Sequence, residues 1–101
     1  MSEHRKVHEL KCRTEFFEDL YTCQKPFEIR KNDRDFKVGD DLYLREYKAN
    51  GKYTGRSVTA EVLYVLKNSD EFKFLIDNYV CLGINVYIWE DESELAMRNV
   101  N

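Results

Sequence analysis

The sequence has 101 residues, of which 43% are hydrophobic, 14% aromatic and 35% charged. A chain of this length forms one domain and buries about two-thirds of the surface that its unfolded form exposes. The aromatic content argues against disorder, because disordered segments are poor in aromatic residues. No apolar run approaches the ~20 residues of a membrane-spanning helix, and the first residues lead into no secretory signal. We therefore expect a soluble, cytoplasmic protein that is not associated with a membrane.

The formal net charge of −3 is unfavourable for broad, sequence-independent binding of nucleic acid. The negative charge is concentrated at the end of the chain, where residues 90–101 contain several acidic residues and one basic residue, Arg98. Residues 1–89 are neutral overall and are compatible with a local cationic cleft. We expect residues 1–89 to form the domain and residues 90–101 to form a solvated acidic tail.

The cysteines predict reduced thiols. Cys12, Cys23 and Cys81 form no C-x-x-C pair, and neither histidine has a useful spacing from them. An odd number of cysteines without an export signal favours an intracellular, reduced state. We expect no metal site and no cofactor.

The first elements in chain order are a strand and a helix. Alternation predicts a strand over 7–12 with His8, Leu10 and Cys12 on one face. A helix is expected from Thr14, as its N-cap, to about residue 23. Its apolar stripe consists of Phe16, Phe17, Leu20 and Tyr21, which we expect to pack in the core.

Pro26 ends the helical region, and alternation then predicts a strand over 27–31. Its apolar residues, Phe27 and Ile29, are expected to point inward, with Glu28 and Arg30 on the opposite face. Polar turns follow over 32–35 and 38–40, before a strand over 42–47.

Asn50-Gly51 is a strong hairpin signal and leads into a long strand over 56–66. Residues 67–78 are compatible with a short helix, or with a loop whose Phe72, Phe74 and Leu75 contact the core. A buried strand is predicted over residues 79–84, and residues 86–89 either continue it or pair with it. Residues 91–97 are predicted to form a last helical turn.

This order lacks a βαβα alternation and disfavours a parallel doubly wound sheet. We expect an α+β, mainly β fold: a small antiparallel β-barrel with one main helix beside its mouth.

Polar groups are densest in the segment Lys25-Pro26-Phe27-Glu28-Ile29-Arg30. Glu28 and Arg30 share a strand face, and Lys25 can reach that face. One interpretation is an ordinary salt-bridge cluster. The other is a ligand site, in which Glu28 accepts from an exocyclic amine, Arg30 donates to a carbonyl or phosphate, and Lys25 supplies charge.

Further candidate ligand-binding residues are His8, Asn32, Arg34, Arg45 and Tyr53. His8 is also compatible with a satisfied core histidine. Tyr53 is either a base-stacking residue or an ordinary cross-strand aromatic. Arg45 is either a phosphate contact or a cross-strand ion-pair partner, and Asn32 and Arg34 belong to a turn whose arginine is able to project into the cleft.

Several motifs follow one another along the chain: His8-Glu9-Leu10-Lys11, then Lys25-x-x-Glu28-x-Arg30-x-Asn32-Asp33-Arg34-x-Phe36-x-Val38-Gly39-Asp40, then Leu44-Arg45-Glu46-Tyr47 and Tyr53-Thr54-Gly55-Arg56. Together they resemble the DUF3850 family. The resemblance covers about residues 6–84. It implies an ASCH domain of the PUA-like superfamily from phages or bacteria, with a barrel whose charged cleft binds RNA or nucleotides.

The same resemblance implies an alternative activity, because some small ASCH proteins are amidohydrolases that deacylate N4-acetylcytidine. Lys25 matches their catalytic lysine, whereas Glu28 stands where they have a nucleophilic threonine. A third alternative is a phage protein that binds a host protein, for which the acidic tail is the supporting feature. RNA or a nucleotide is the expected partner, and any protein partner is unknown.

Overall fold

The computed structural model describes residues 5–93, which form one helix and five strands. The elements are β1 (Val7–Arg13), α1 (Thr14–Tyr21), β2 (Phe27–Lys31), β3 (Asp41–Tyr47), β4 (Tyr53–Lys67) and β5 (Tyr79–Asp91). The strands form one curled sheet in the order β1-β3-β4-β5-β2, a half-barrel. The prediction of a small, mainly β, α+β fold with one main helix is confirmed.

The pairing of the strands does not close the sheet into a complete barrel. β3, β4, β5 and β2 pair antiparallel in turn, whereas β1 pairs parallel with β3, so the expected pairing holds for all pairs except this one. Within residues 5–93, β1 and β2 are the two edge strands of the sheet. We call the line between these two edges the seam.

Alternation places the apolar core on one face of the sheet. The buried apolar residues follow every second position in β1, β3, β4 and β5, while Asp41 and Ser57 are buried at intervening positions. The apolar core consists of Leu10, Cys12, Phe17, Leu20, Phe36, Leu42, Leu44, Val58, Ala60, Val62, Val80, Leu82 and Ile84. Period-two burial in neighbouring strands brings these side chains into one cluster, as the sequence pattern predicts.

Helix α1 covers part of this core face with two of the four predicted stripe residues. Phe17 and Leu20 are completely buried and Tyr21 is partly buried, but Phe16 is 55% exposed, so its prediction as a core residue is wrong. The prediction of Thr14 as N-cap is also wrong. Arg13 is the N-cap, without a side-chain hydrogen bond, because the Thr14 hydroxyl instead donates to Glu46 Oε2 at 2.6 Å.

The hairpin lies where the sequence predicts it, whereas the phenylalanines of the next connection are not in the predicted core contacts. The Asn50-Gly51 hairpin joins β3 to β4, with Gly51 at φ +84° and its N–H donating to the carbonyl of Lys48. Residues 68–78 are a loop rather than a helix. Phe72 and Phe74 are exposed and stack on each other instead of reaching the core.

Asn68 organises this loop. Its side-chain oxygen accepts from the N–H groups of Phe74 and Leu75, and its amide donates to the Leu75 carbonyl. These bonds satisfy backbone groups locally, so the loop keeps its shape without burying its two phenylalanines.

The last strand is longer than either apolar stretch alone, since residues 79–84 and 86–89 continue as one strand, β5. It includes Glu90 and Asp91, which pair with Ser57 and Arg56, so the first residues of the expected acidic tail lie in the sheet. The rest of that tail from residue 94, and most of the expected helical turn over 91–97, lie outside the described residues. No helix among residues 5–93 is long and apolar enough to cross a bilayer.

Candidate functional site

The seam between β1 and β2 opens into a cleft of about 500 Å³. One wall comes from the end of β1 and the start of α1, and the other comes from β2 and the residue before it. We call it the seam cleft, and its lining is Lys11, Cys12, Arg13, Phe16, Lys25, Phe27, Glu28, Ile29, Arg30, Lys31, Tyr47 and Tyr79. The cleft exists because two edge strands face each other without forming a backbone ladder.

The three predicted charged residues meet in this cleft. Lys25 Nζ lies 2.7 Å from Glu28 Oε2, and Arg30 Nε lies 2.9 Å from Glu28 Oε1. The side chain of Glu28 is 4% exposed, whereas both cations are partly open to solvent. An ionised carboxylate has about four acceptor positions, of which these bonds use two. Glu28 therefore keeps capacity to accept from a further donor.

The chain places Lys25 by a tight turn after α1. Cys23 adopts φ +61°, and the carbonyl of Asp19 accepts from the N–H groups of both Gln24 and Lys25. Pro26 then begins the extended segment, and its carbonyl accepts from Ile84 N–H of β5. This backbone network fixes the start of β2, and with it the spacing between Lys25 and Glu28.

The predicted orientation of β2 is wrong. Phe27 and Ile29 are 39% and 50% exposed, while Glu28 is buried and Arg30 is partly buried. The physical reason is the seam, because the inner side of β2 faces polar side chains and the cleft instead of the apolar core. The prediction that Glu28 and Arg30 share one face is correct.

Aromatic side chains form much of the cleft wall, and sequence reasoning did not assign them there. Phe16, Phe27, Tyr47 and Tyr79 all line the cleft. Lys25 Nζ lies 5.4 Å from the ring centroid of Phe27 and 5.9 Å from that of Phe16. The face of an aromatic ring attracts a cation, so both rings stabilise the ammonium group of Lys25 in this position. The available signal was the position of these aromatics on both sides of the Lys25–Arg30 motif.

Cys12 lies in the lining and is buried. Burial raises the pKa of its thiol to about 11, and the nearby carboxylate of Glu28 adds to the effect. The thiol is therefore protonated at neutral pH and is a poor nucleophile.

Two arginines bridge the seam. Arg30 Nη2 donates to the Lys11 carbonyl at 2.8 Å, and Arg34 Nη1 donates to the Glu9 carbonyl at 3.1 Å. Both acceptors lie in β1. Side-chain bonds thus connect the β1 edge to β2 and to the following turn, where a closed barrel would have backbone pairing.

A second hollow of about 400 Å³ adjoins the seam cleft and shares Lys11 and Arg30 with it. Arg34 and Tyr53 also line this hollow. The Arg45 guanidinium stacks 3.6 Å from the centroid of the Tyr53 ring and bonds Glu9 Oε2 at 3.0 Å. Arg34 and Tyr53 therefore lie next to the cleft, and Arg45 covers one face of the Tyr53 ring.

The structure places the remaining candidates elsewhere. His8 is buried, its Nε2 lies 2.8 Å from Asp40 Oδ2, and its ring packs on Phe36, which is the core-histidine environment that the sequence left open. Asn32 lines a different hollow, together with Asn68 and Lys67, at the other end of β2.

A second buried carboxylate, Glu46, supports the helix beside the cleft. Alternation in β3 turns it towards the core, where it accepts from Thr14, from Thr54 and twice from Arg56, at 2.6 to 3.1 Å. Burial alone would raise the pKa of Glu46, but these bonds outweigh burial and hold it below its usual value. The Arg56 guanidinium also lies over the rings of Phe17 and Tyr21.

Comparison with known families places this geometry in a group of related proteins. A family model described as a domain of unknown function, DUF3850, matches residues 7–84, which include β1 to β4 in full and the first part of β5, residues 79–84. The chain belongs to the DUF3850 family. The DUF3850 domain thus contains the complete seam cleft and the second hollow.

The domain is also similar to a phage protein, the uncharacterized 12.9 kDa protein in the GpA 3' region of Escherichia phage P2. The two are 36% identical over 77 residues, which cover 76% of this chain and 66% of the phage protein. About a third of the phage protein therefore lies outside the region of similarity.

Proposed function

We propose that the DUF3850 domain binds RNA or a modified nucleotide in the seam cleft, and that its half-barrel is a PUA-like (ASCH) fold. The observation that carries the proposal is the environment of Glu28. A buried carboxylate held by two cations lies in the wall of an open, aromatic-lined cleft. A carboxylate paired only for stability has no need of an adjoining hollow of this size.

The chemistry of the lining fits a nucleobase. Aromatic rings provide stacking surfaces, which are worth about 1–3 kcal/mol per base. Glu28 accepts from an exocyclic amine, and Arg30 donates to a carbonyl oxygen or a phosphate. Cytosine presents such an amine next to acceptor atoms, whereas uracil lacks the amine.

The second hollow favours a ligand longer than one nucleoside. Lys11 and Arg30 lie where the two hollows meet, so a phosphate there would contact two cations. A second base would then reach Tyr53. Phosphate contacts of this kind make binding weaker as salt concentration rises.

Binding has more support than hydrolysis. Among the described residues that line the cleft there is no serine or threonine. The thiol of Cys12 is protonated, and Lys25 is already bonded to Glu28. An amidohydrolase mechanism therefore lacks beside Lys25 the hydroxyl nucleophile that the family resemblance implies, and incubation with N4-acetylcytidine is expected to release no cytidine.

Calorimetric titration at low salt tests the proposal. Wild-type protein is titrated with short single-stranded RNAs, cytidine and uridine. We expect cytosine-containing ligands to bind at least about 10-fold more tightly than their uracil counterparts, in line with one specific base contact. Arg30→Gln is expected to weaken binding about 10-fold or more.

Lys37→Gln is the matched control, because it removes the same charge from an exposed lysine paired with Asp35 outside both hollows. Equal affinities for Arg30→Gln and Lys37→Gln would refute a role for the cleft. Absence of binding by the wild-type protein at low salt would refute the proposed function itself.

A further inference from the structure

The outer edge of β1 has a directional pattern of backbone groups. The carbonyls of Glu9 and Lys11 point across the seam, because they accept from Arg34 and Arg30. The Lys6 carbonyl points the other way and accepts from the N–H of Asp41, the first residue of β3. Carbonyls of odd-numbered residues in β1 thus face the seam, and those of even-numbered residues face β3.

In an extended strand, the N–H and C=O of one residue point to the same side. The N–H groups of Lys11 and Arg13 therefore also face the seam, and both residues line the cleft. Within residues 5–93, no side chain accepts a hydrogen bond from either N–H. Backbone donors along an unpaired edge are available to an external partner.

The two arginines make this edge unusual. Their side chains donate to the carbonyls of Glu9 and Lys11. The acceptors of this edge are therefore engaged, while its backbone N–H donors are free. A peptide strand that adds to an edge needs both donors and acceptors. A base edge that presents carbonyl or ring-nitrogen acceptors needs donors alone.

We propose that the backbone N–H of Arg13, with that of Lys11, donates to an acceptor atom of the ligand in the seam cleft and so determines specificity. This inference rests on the proposed function, since it assigns a further contact to the same ligand. Glu28 and the β1 edge then read opposite features of one base, the amine on one side and an acceptor on the other.

Arg13 allows a clean test because its backbone already suits proline. Its φ is −64° and its ψ is 144°, and proline requires φ near −65° with an extended residue before it. Cys12 lies within β1 and is extended. Arg13→Pro removes the N–H and keeps the carbonyl that caps helix α1.

Arg13→Ala is the matched control. It also removes the side chain, whose exposed ion pair with Glu15 contributes little to stability, but it keeps the N–H. Cytidine and a short cytosine-containing RNA are titrated into both variants after circular dichroism has verified folding. We expect Arg13→Pro to bind at least 10-fold more weakly than Arg13→Ala, because the two variants lack the same side chain and differ in the backbone N–H.

Equal binding by the two variants would overturn this inference and leave the proposed function intact, whereas failure of wild type to bind would overturn both. An amide NMR titration of wild-type protein with cytidine covers the case in which Arg13→Pro does not fold. The Arg13 and Lys11 amide signals are expected to be among those that shift most. Unchanged signals, with cytidine bound, would equally overturn the inference.

Discussion

Two buried carboxylates on the core face of the sheet, Glu28 and Glu46, have different surroundings. Glu46 accepts four hydrogen bonds from three residues and is enclosed beneath α1. Glu28 accepts two and borders the seam cleft. A carboxylate with every acceptor position engaged is a structural group, whereas one with spare positions beside a hollow is able to bind a ligand.

We expect Glu46→Gln to destabilise the fold by about 2–3 kcal/mol, since the partly buried Arg56 loses its buried carboxylate partner and keeps the ion pair with the exposed Glu18. Urea unfolding at pH 7 measures this loss. Glu71→Gln, in the exposed 68–78 loop, is the control and is expected to change stability by less than about 0.5 kcal/mol. Equal unfolding midpoints for the two variants would contradict the structural role of Glu46.

For individual residues, the sequence predicted that Lys25, Glu28 and Arg30 come together, because strand periodicity and their short spacing in the chain determine their proximity. The role of Glu46 was not predictable in the same way. Its partners lie on two other elements, Thr14 on α1 and Thr54 and Arg56 on β4, and single-sequence patterns carry no information about which elements meet.

Strand β2 shows how an element's environment overrides its pattern. Apolar alternation normally marks the core face, but in β2 the apolar residues are the more exposed ones. As an edge strand at the seam, β2 contributes no large apolar side chain to the core cluster. The alternation itself was predicted correctly, and only the assignment of faces depended on tertiary structure.

The start of β4 packs against the end of β5 at Gly55. This residue has φ +101°, and a Cβ atom there would lie 2.7 Å from the Glu92 backbone carbon. Gly51 has φ +84° but open space around it. The two glycines therefore separate the effect of backbone strain from the effect of close packing.

We expect Gly51→Ala to lower the free energy of unfolding by about 1 kcal/mol through backbone strain alone. Gly55→Ala is expected to lower it by about 2–4 kcal/mol, because strain and overpacking both apply. Thermal unfolding of both variants provides the comparison. A smaller loss for Gly55→Ala than for Gly51→Ala would show that the chain around Glu92 does not pack on β4 as described.

For the whole molecule, buried carboxylates make stability depend on pH. Burial would raise the pKa of Asp40, but hydrogen bonds from His8 and from the N–H groups of Lys37 and Lys6 outweigh burial and lower it. The pKa of Glu46 is lowered for the same kind of reason. A carboxyl whose pKa is lower in the folded state stabilises the fold above its unfolded pKa, and this contribution is lost as pH falls through the folded pKa.

We therefore expect the free energy of unfolding to decrease progressively as the pH falls below about 4, where unfolded carboxyls become protonated. Urea unfolding at a series of pH values from 7 to 3 measures the decrease. Glu46→Gln is expected to show a shallower decrease than wild type. Parallel pH profiles for the two proteins would contradict the assignment to Glu46.

The fold class was predictable from the sequence, but whether the sheet closes into a barrel was not. Strand and helix order followed from periodicity and turn residues, and the mainly β architecture followed from that order. The parallel pairing of β1 with β3 and the open seam were not predictable, because they depend on which edges meet in space. The cleft was inferred from its charged residues and from the family resemblance, and its aromatic walls became visible only in the structure.

The most direct test of the account is a crystal structure of the domain with a short cytosine-containing RNA. We expect a cytosine in the seam cleft, with its exocyclic amine within hydrogen-bond distance of Glu28 and an acceptor atom facing Arg30 or the β1 edge. RNA bound on another surface, with Lys25, Glu28 and Arg30 still paired around an empty cleft, would contradict the account.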